Sequence, residues 1–178
     1  MLTASPGWDS VVTPESYQDF RLHLEFNVND APNAEREARG NSSVYLQQRY
    51  ELQILDSFGV PESEYRDSDC GSLYRLKKPD RLVCKPAGEW QSYDIVFRAA
   101  RFDGDRKRED ARIIAFQNGA LIHADVSITR KTGAGEQEGP EARPVKLQGH
   151  HNPVRFRDVW IQALTLEELP SVPAARGR

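Results

Sequence analysis

The sequence predicts an all-β protein, a sandwich of antiparallel sheets. Two observations carry that reading. Apolar and polar residues alternate with period two in run after run, and Gly, Pro, Asn and Asp separate the runs at moderate spacing. No helical period of useful length interrupts them, so the chain reads as strands and turns around one core.

The first strong run is Asp19 to Val28. Phe20, Leu22, Leu24, Phe26 and Val28 share one face, and Arg21, His23, Glu25 and Asn27 share the other. Residues 29–40 read as a loop with room for one helical turn. Gly40-Asn41-Ser42-Ser43 then opens a pair of strands joined by a tight connection, the second running Tyr50-Glu51-Leu52-Gln53-Ile54. Because side chains alternate faces along a strand, Glu51 and Gln53 project together while Tyr50, Leu52 and Ile54 face the core. Residues 57–69 are polar and irregular. A short strand is expected around Leu73 and Tyr74, and a proline-bearing loop over 77–88.

Trp90 to Arg101 is the next long strand, with Tyr93, Ile95 and Phe97 on one face. Residues 102–110 form a charged hairpin tip. Arg112–Gln117 and Ala120–Ile128 flank Asn118-Gly119, a pair that accepts the positive φ angles of a type I′ turn. Residues 129–144 read as a polar loop. A short strand follows at Val145–Gln148, and a last one at Val154–Leu164, with Val154, Phe156, Asp158 and Trp160 on one face. The expected boundaries are a single domain over residues 1–168 and a disordered tail over 169–178.

Bulk properties narrow the function. The chain has 178 residues, enough for one sizeable core. Its 24 Lys and Arg against 27 Asp and Glu give a net charge of −3, which argues against nucleic acid as a partner. No apolar run approaches bilayer length, so no membrane span is expected. The first residues show no charged start followed by an apolar stretch. Cytoplasmic residence, a removed leader and an upstream start all stay open. Cys70 and Cys84 lack the spacing and histidine neighbours of a zinc site. A disulfide between them and a pair of buried thiols fit the sequence equally. Oligomeric state is not legible.

Several ordered motifs together resemble one family. They are Gly40-Asn41-Ser42 with Tyr45-Leu46-Gln47; Tyr50-Glu51-Leu52-Gln53-Ile54-Leu55-Asp56; Pro86-Ala87-Gly88-Glu89-Trp90-Gln91-Ser92-Tyr93-Asp94; Asn118-Gly119; and Leu147-Gln148-Gly149-His150-His151-Asn152-Pro153-Val154-Arg155-Phe156-Arg157-Asp158-Val159-Trp160-Ile161. The chain resembles the 3-keto-disaccharide hydrolase domain over about residues 11–164. The resemblance implies a concanavalin-like jelly roll of two curved sheets, carbohydrate ligands on the concave face, and cleavage of glycosides oxidised at C3. It also implies a periplasmic or extracellular location. The sequence departs from the family at Ser43, where glycine is usual, and at Gly149, where an acid usually precedes the histidine. The strand that opens the family's domain looks short or absent.

A C3 ketone acidifies the C2 proton, so the reaction needs a base, a stabiliser for the developing enolate and a donor to the leaving group. Glu51 is the first candidate base and Asp56 the second, with turn capping an equal reading for Asp56. His150 is a candidate base or acid, imidazole being the side chain suited to either role. Asn41, Gln53 and Gln148 suit hydroxyl or ketone recognition, and Tyr45 offers a flat face to a sugar ring. Arg155 is a permanent cation for the enolate; for Arg157 a structural salt bridge is the favoured reading. A divalent metal held by Glu51, Asp56 and His150 would polarise the ketone, although no ligand spacing requires one. His23 and His123 read as surface residues, Trp90 and Trp160 as core. The competing class is a non-catalytic carbohydrate-binding module, which the same fold serves.

Overall fold

The computed structural model describes residues 2–4, 10–31 and 33–165. Their strands are β1 (Leu2–Ala4), β2 (Val11–Val12), β3 (Phe20–Val28), β4 (Ser42–Leu46), β5 (Tyr50–Ile54), β6 (Gln91–Arg98), β7 (Arg101–Asp103), β8 (Arg106–Glu109), β9 (Ala111–Gln117), β10 (Ala120–Ile128), β11 (Lys146–Leu147) and β12 (Val154–Ala163). A 3-10 turn at Arg36–Ala38 is the only helical element among the described residues. The strands form a six-stranded sheet, β1-β12-β3-β6-β9-β10, a four-stranded sheet, β2-β11-β4-β5, and the small hairpin β7-β8. The pairings are antiparallel, and the architecture is a jelly-roll sandwich.

The alternation read from the sequence builds the core. Phe20, Leu22, Leu24, Phe26 and Val28 of β3 meet Val44, Leu46, Tyr50, Leu52 and Ile54 of the opposite sheet, all at most 1 % exposed. Fully burying one such side chain contributes about 1.5–3 kcal/mol. Asn118 and Gly119 turn β9 into β10 with φ of 51° and 78°, both in the left-handed region the type I′ turn demands. The β4–β5 connection uses the same conformation at Gln47 and Gln48. The buried Gln47 amide is held there by Tyr17 O and Gln18 Oε1, each at 2.8 Å.

Two readings are resolved and two change. The opening strand is short, the three residues of β1, pairing with β12 from Leu2↔Phe156 to Ala4↔Val154. The alternation of β12 breaks at a bulge between Arg157 and Trp160, with Asp158 at φ 49°. One extra residue moves everything after it to the other face. Trp160 therefore turns outward, half exposed, and stacks on His23, while Ile161 packs on the core. His123 is wholly buried, with Nε2 2.7 Å from Gly71 O, because the register shifts on both sides of it in β10 aim it inward. Cys70 and Cys84 are free thiols, brought together under Gln117, whose Nε2 lies 3.5 and 3.4 Å from the two sulfurs. The tail expected over 169–178 lies outside the described residues.

Two irregular segments finish the four-stranded sheet. Residues 71–74 run along β5, with hydrogen bonds from Gln53 N to Ser72 O, Gly71 N to Gln53 O and Tyr74 N to Glu51 O. Residues 132–136 close over the start of β5, with Thr132 N bonded to Arg49 O and Glu136 N to Gln48 O. The outer face of β5 is thereby bordered by both segments.

Candidate active site

This face of β5 holds a cleft of about 380 Å³, open to solvent and lined by Tyr45, Glu51, Tyr74, Arg75, Gly133, Ala134, Gln148 and His150. Glu51 and Tyr45 are direct cross-strand partners on β5 and β4. Gln148 comes from the far end of the sequence. Its N–H donates to Ser43 O at 2.9 Å, and its carbonyl accepts from Ser42 Oγ at 2.7 Å. This double tie seats the C-terminal segment beside β4 and brings His150 to the cavity.

Glu51 is only 5 % exposed. Its Oε1 lies 2.8 Å from the Ser43 hydroxyl, which also lies 2.5 Å from Gln148 Oε1. The hydroxyl carries one proton and faces two acceptors. Turning the Gln148 amide so that its NH2 donates to Ser43 resolves the conflict, and leaves the Ser43 proton for an ionised Glu51. The Tyr45 hydroxyl adjoins the Glu51 carboxyl and the Ala134 backbone. Burial raises the Glu51 pKa above the ordinary carboxylate range. The Ser43 and Tyr45 hydroxyls and the charges of Lys146 and His150 oppose that shift without cancelling it. Burial and the neighbouring Glu51 push the Tyr45 phenol far up, so it keeps its proton.

The residues singled out in the sequence divide into two sets. Tyr45, Glu51, Gln148 and His150 share the cavity. Tyr45 does not present its ring as a platform: the Lys146 ammonium covers it, 4.0 Å from the centroid, and the hydroxyl is what reaches Glu51. Gln53 and Asn41 lie further along the same face, bonded to each other at 3.0 Å, with Gln53 Oε1 buried and without a hydrogen-bond partner among the described residues. Asp56 stands outside the cavity, its carboxylate taken by Arg39 at 2.6 Å and by the Phe58 N–H. Arg155 is on the other sheet, donating to Asn27 Oδ1 at 2.8 Å near the Trp90 ring. Arg157 pairs with Glu25 at 2.5 Å.

Glu51, Asp56 and His150 therefore do not gather as metal ligands. Among the described residues no group of three or more His, Cys, Asp or Glu side chains is placed to hold an ion.

Sequence reasoning passed over Ser43 as a functional group, along with Tyr74, Arg75, Gly133 and Ala134. Ser43 was visible as a departure from the family pattern. The others sit in irregular segments whose path over β5 has no local signature.

The family model for the 3-keto-alpha-glucoside-1,2-lyase-like domain matches residues 1–162. The chain belongs to that family. Membership places it among carbohydrate-active proteins. A protein of Parabacteroides distasonis ATCC 8503, provisionally named a glycosyl hydrolase and solved at 2.13 Å, is similar at 30 % identity and a TM-score of 0.82. The match covers 91 % of this chain and 71 % of that one. Two further proteins of the same organism with the same provisional name share the fold. One has 17 % identity and a TM-score of 0.65, covering 92 % and 80 % of the two chains. The other has 22 % identity and a TM-score of 0.57, covering 88 % and 83 %. No curated protein matches the sequence. No helix among the described residues is long and apolar enough to cross a membrane.

Proposed function

We propose that this domain cleaves 3-keto-glycosides by elimination and hydration. Glu51 removes the C2 proton. The electrons form an enolate toward the C3 oxygen and then expel the C1 substituent, which takes a proton from His150. Water adds to the resulting double bond, hydroxyl at C1 and proton at C2, so that the sum is hydrolysis. A base of raised pKa suits this task, because proton-transfer efficiency peaks when the base titrates near the working pH. Tyr45 keeps its proton and fixes the Glu51 carboxylate, and Gln148 offers an amide to a hydroxyl. Paired carboxylates of the ordinary glycosidase kind are not required.

The observation that carries this reading is the buried Glu51 carboxyl at the floor of a cavity whose other wall brings Gln148 and His150. Family membership supplies the substrate class. Export to the periplasm or the cell exterior belongs to the same reading.

The test is incubation with a 3-keto-disaccharide in D2O, with and without divalent cations and a chelator. Release of hexose and 3-keto-hexose with deuterium at C2 is expected. Binding without release would favour the second reading, a non-catalytic carbohydrate module, for which Gly149 speaks because it stands where the resembled family carries an acid.

A further inference from the structure

The elimination reading leaves the enolate without a stabiliser, since Arg155 lies on the other sheet. The cavity contains another guanidinium. Arg75 follows Tyr74, whose backbone N–H is bonded to Glu51 O at 3.1 Å, so its position along the chain is fixed relative to the base. At Arg75 the backbone turns through φ 54°, a left-handed conformation uncommon for a residue with a side chain. Two hydrogen bonds hold it there, Arg75 N to Asp67 O at 2.8 Å and Arg130 Nη2 to Arg75 O at 3.3 Å. The guanidinium rests on the Tyr74 ring, 5.3 Å from its centroid, and no ion pair is formed with it among the described residues.

The other arginines at or near this sheet are engaged: Arg39 by Asp56 and Arg49 by Glu141. The left-handed conformation at Arg75 serves the tight turn in which Leu76 N and Lys77 N both bond to Leu73 O, at 2.8 and 3.0 Å. The turn fixes the backbone but gives no reason for a guanidinium without an ion pair among the described residues at the cavity that holds Glu51, Gln148 and His150.

We propose that the Arg75 guanidinium receives the substrate oxygen that becomes negative when Glu51 takes the C2 proton, holding the C3 ketone in the ground state and the enolate more tightly in the transition state. The assignment rests on the elimination reading. A permanently charged guanidinium facing a developing oxyanion acts mainly on the transition state, because its attraction grows as charge accumulates.

The test compares wild type with Arg75→Gly, Arg75→Met and Arg75→Lys on a nitrophenyl 3-keto-glucoside. Glycine is the informative choice, because it adopts the left-handed φ without strain. The Arg75→Gly protein is expected to melt no lower than wild type while kcat falls about 100- to 1,000-fold, the loss typical of a removed oxyanion donor, with KM little changed. Lysine is expected to restore part of the rate, and added guanidinium to rescue the glycine and methionine variants.

Undiminished kcat in Arg75→Gly and Arg75→Met overturns the assignment. So does a loss confined to KM and to substrates bearing a carboxylate, which would make Arg75 a reader of anionic sugars. A wild type that turns over no 3-keto-glycoside overturns the elimination reading and this assignment together, whereas an active wild type with unaffected variants overturns this assignment alone.

Discussion

Gly133 presses its backbone against the Glu51 carboxylate: a Cβ at residue 133 would lie 1.6 Å from Oε2 and 3.2 Å from the Tyr45 hydroxyl. Gly133 is also in the left-handed region at φ 53°. The loop over β5 thus closes on the carboxylate only because residue 133 has no side chain. Gly133→Ala forces either the carboxylate or the loop to move. Catalytic geometry tolerates little displacement, so turnover of a 3-keto-glycoside should fall at least about 100-fold. Stability should fall by about 1–3 kcal/mol, the usual range for overpacking. Steady-state kinetics and thermal unfolding of the same variant check both. Wild-type kcat in this variant would mean that the Glu51 position is not critical.

Glu51→Gln separates the base from the scaffold. Turnover should disappear while the fold persists, since glutamine can still meet Ser43 and Tyr45. The pH dependence has a definite sign. The Glu51 pKa is raised in the folded protein, so between the unfolded and folded values the folded state binds more protons and stability declines as pH rises. Glu51→Gln removes that decline and should leave the protein at least as stable as wild type at neutral pH. In the wild type, kcat should fall as pH drops through a pKa above the ordinary carboxylate range. Urea titrations at acid and neutral pH, with a pH–rate profile, test the two halves separately.

Asp56 and Glu51 lie on the same short stretch of sequence and do different work. Asp56 is 5 % exposed and bound to Arg39, with its own N–H donating to Arg39 O at 2.8 Å. Asp56→Asn should cost about 1 kcal/mol of stability, because the arginine partner is partly in solvent. Its effect on kcat should be under about twofold. A large loss of turnover with normal thermal unfolding would return Asp56 to the chemistry.

The contrast shows what the sequence could and could not disclose. Strand faces follow from period two, so the core of β3, β5 and β6 and the shared outward direction of Glu51 and Gln53 were legible. The union of Ser43 with Gln148, 105 residues apart, was not legible from pattern and entered only through family resemblance. Trp160 was misread because a bulge carries no signature in alternation. Tyr74, Arg75 and Gly133 were missed for a related reason. They lie in segments whose course is set by backbone hydrogen bonds to β5, which any residue can make, and not by side-chain periodicity. The expected pairing of Arg155 with the site failed because alternation gives the face of a strand and not the sheet to which the strand belongs.

His123 supplies a prediction independent of the reaction. Its imidazole is fully buried, Nε2 donates to Gly71 O at 2.7 Å, and Nδ1 has no partner among the described residues. Protonating Nδ1 would place an unpaired charge in the core, and burial accordingly lowers the pKa to about 4. The unfolded chain takes up the proton near the ordinary histidine value, so from there down to about pH 4 it binds more protons than the folded one. Stability is therefore lost as pH falls through this window, by about 3 kcal/mol in all if the unfolded group titrates at about 6.5. His123→Gln keeps a donor for Gly71 O and removes the titration. Its urea-unfolding free energy should fall less steeply than that of wild type between pH 6.5 and 4, the difference between the two curves isolating the histidine from the carboxylates that titrate beside it. Parallel curves would mean that His123 is protonated, or solvated, in the folded protein.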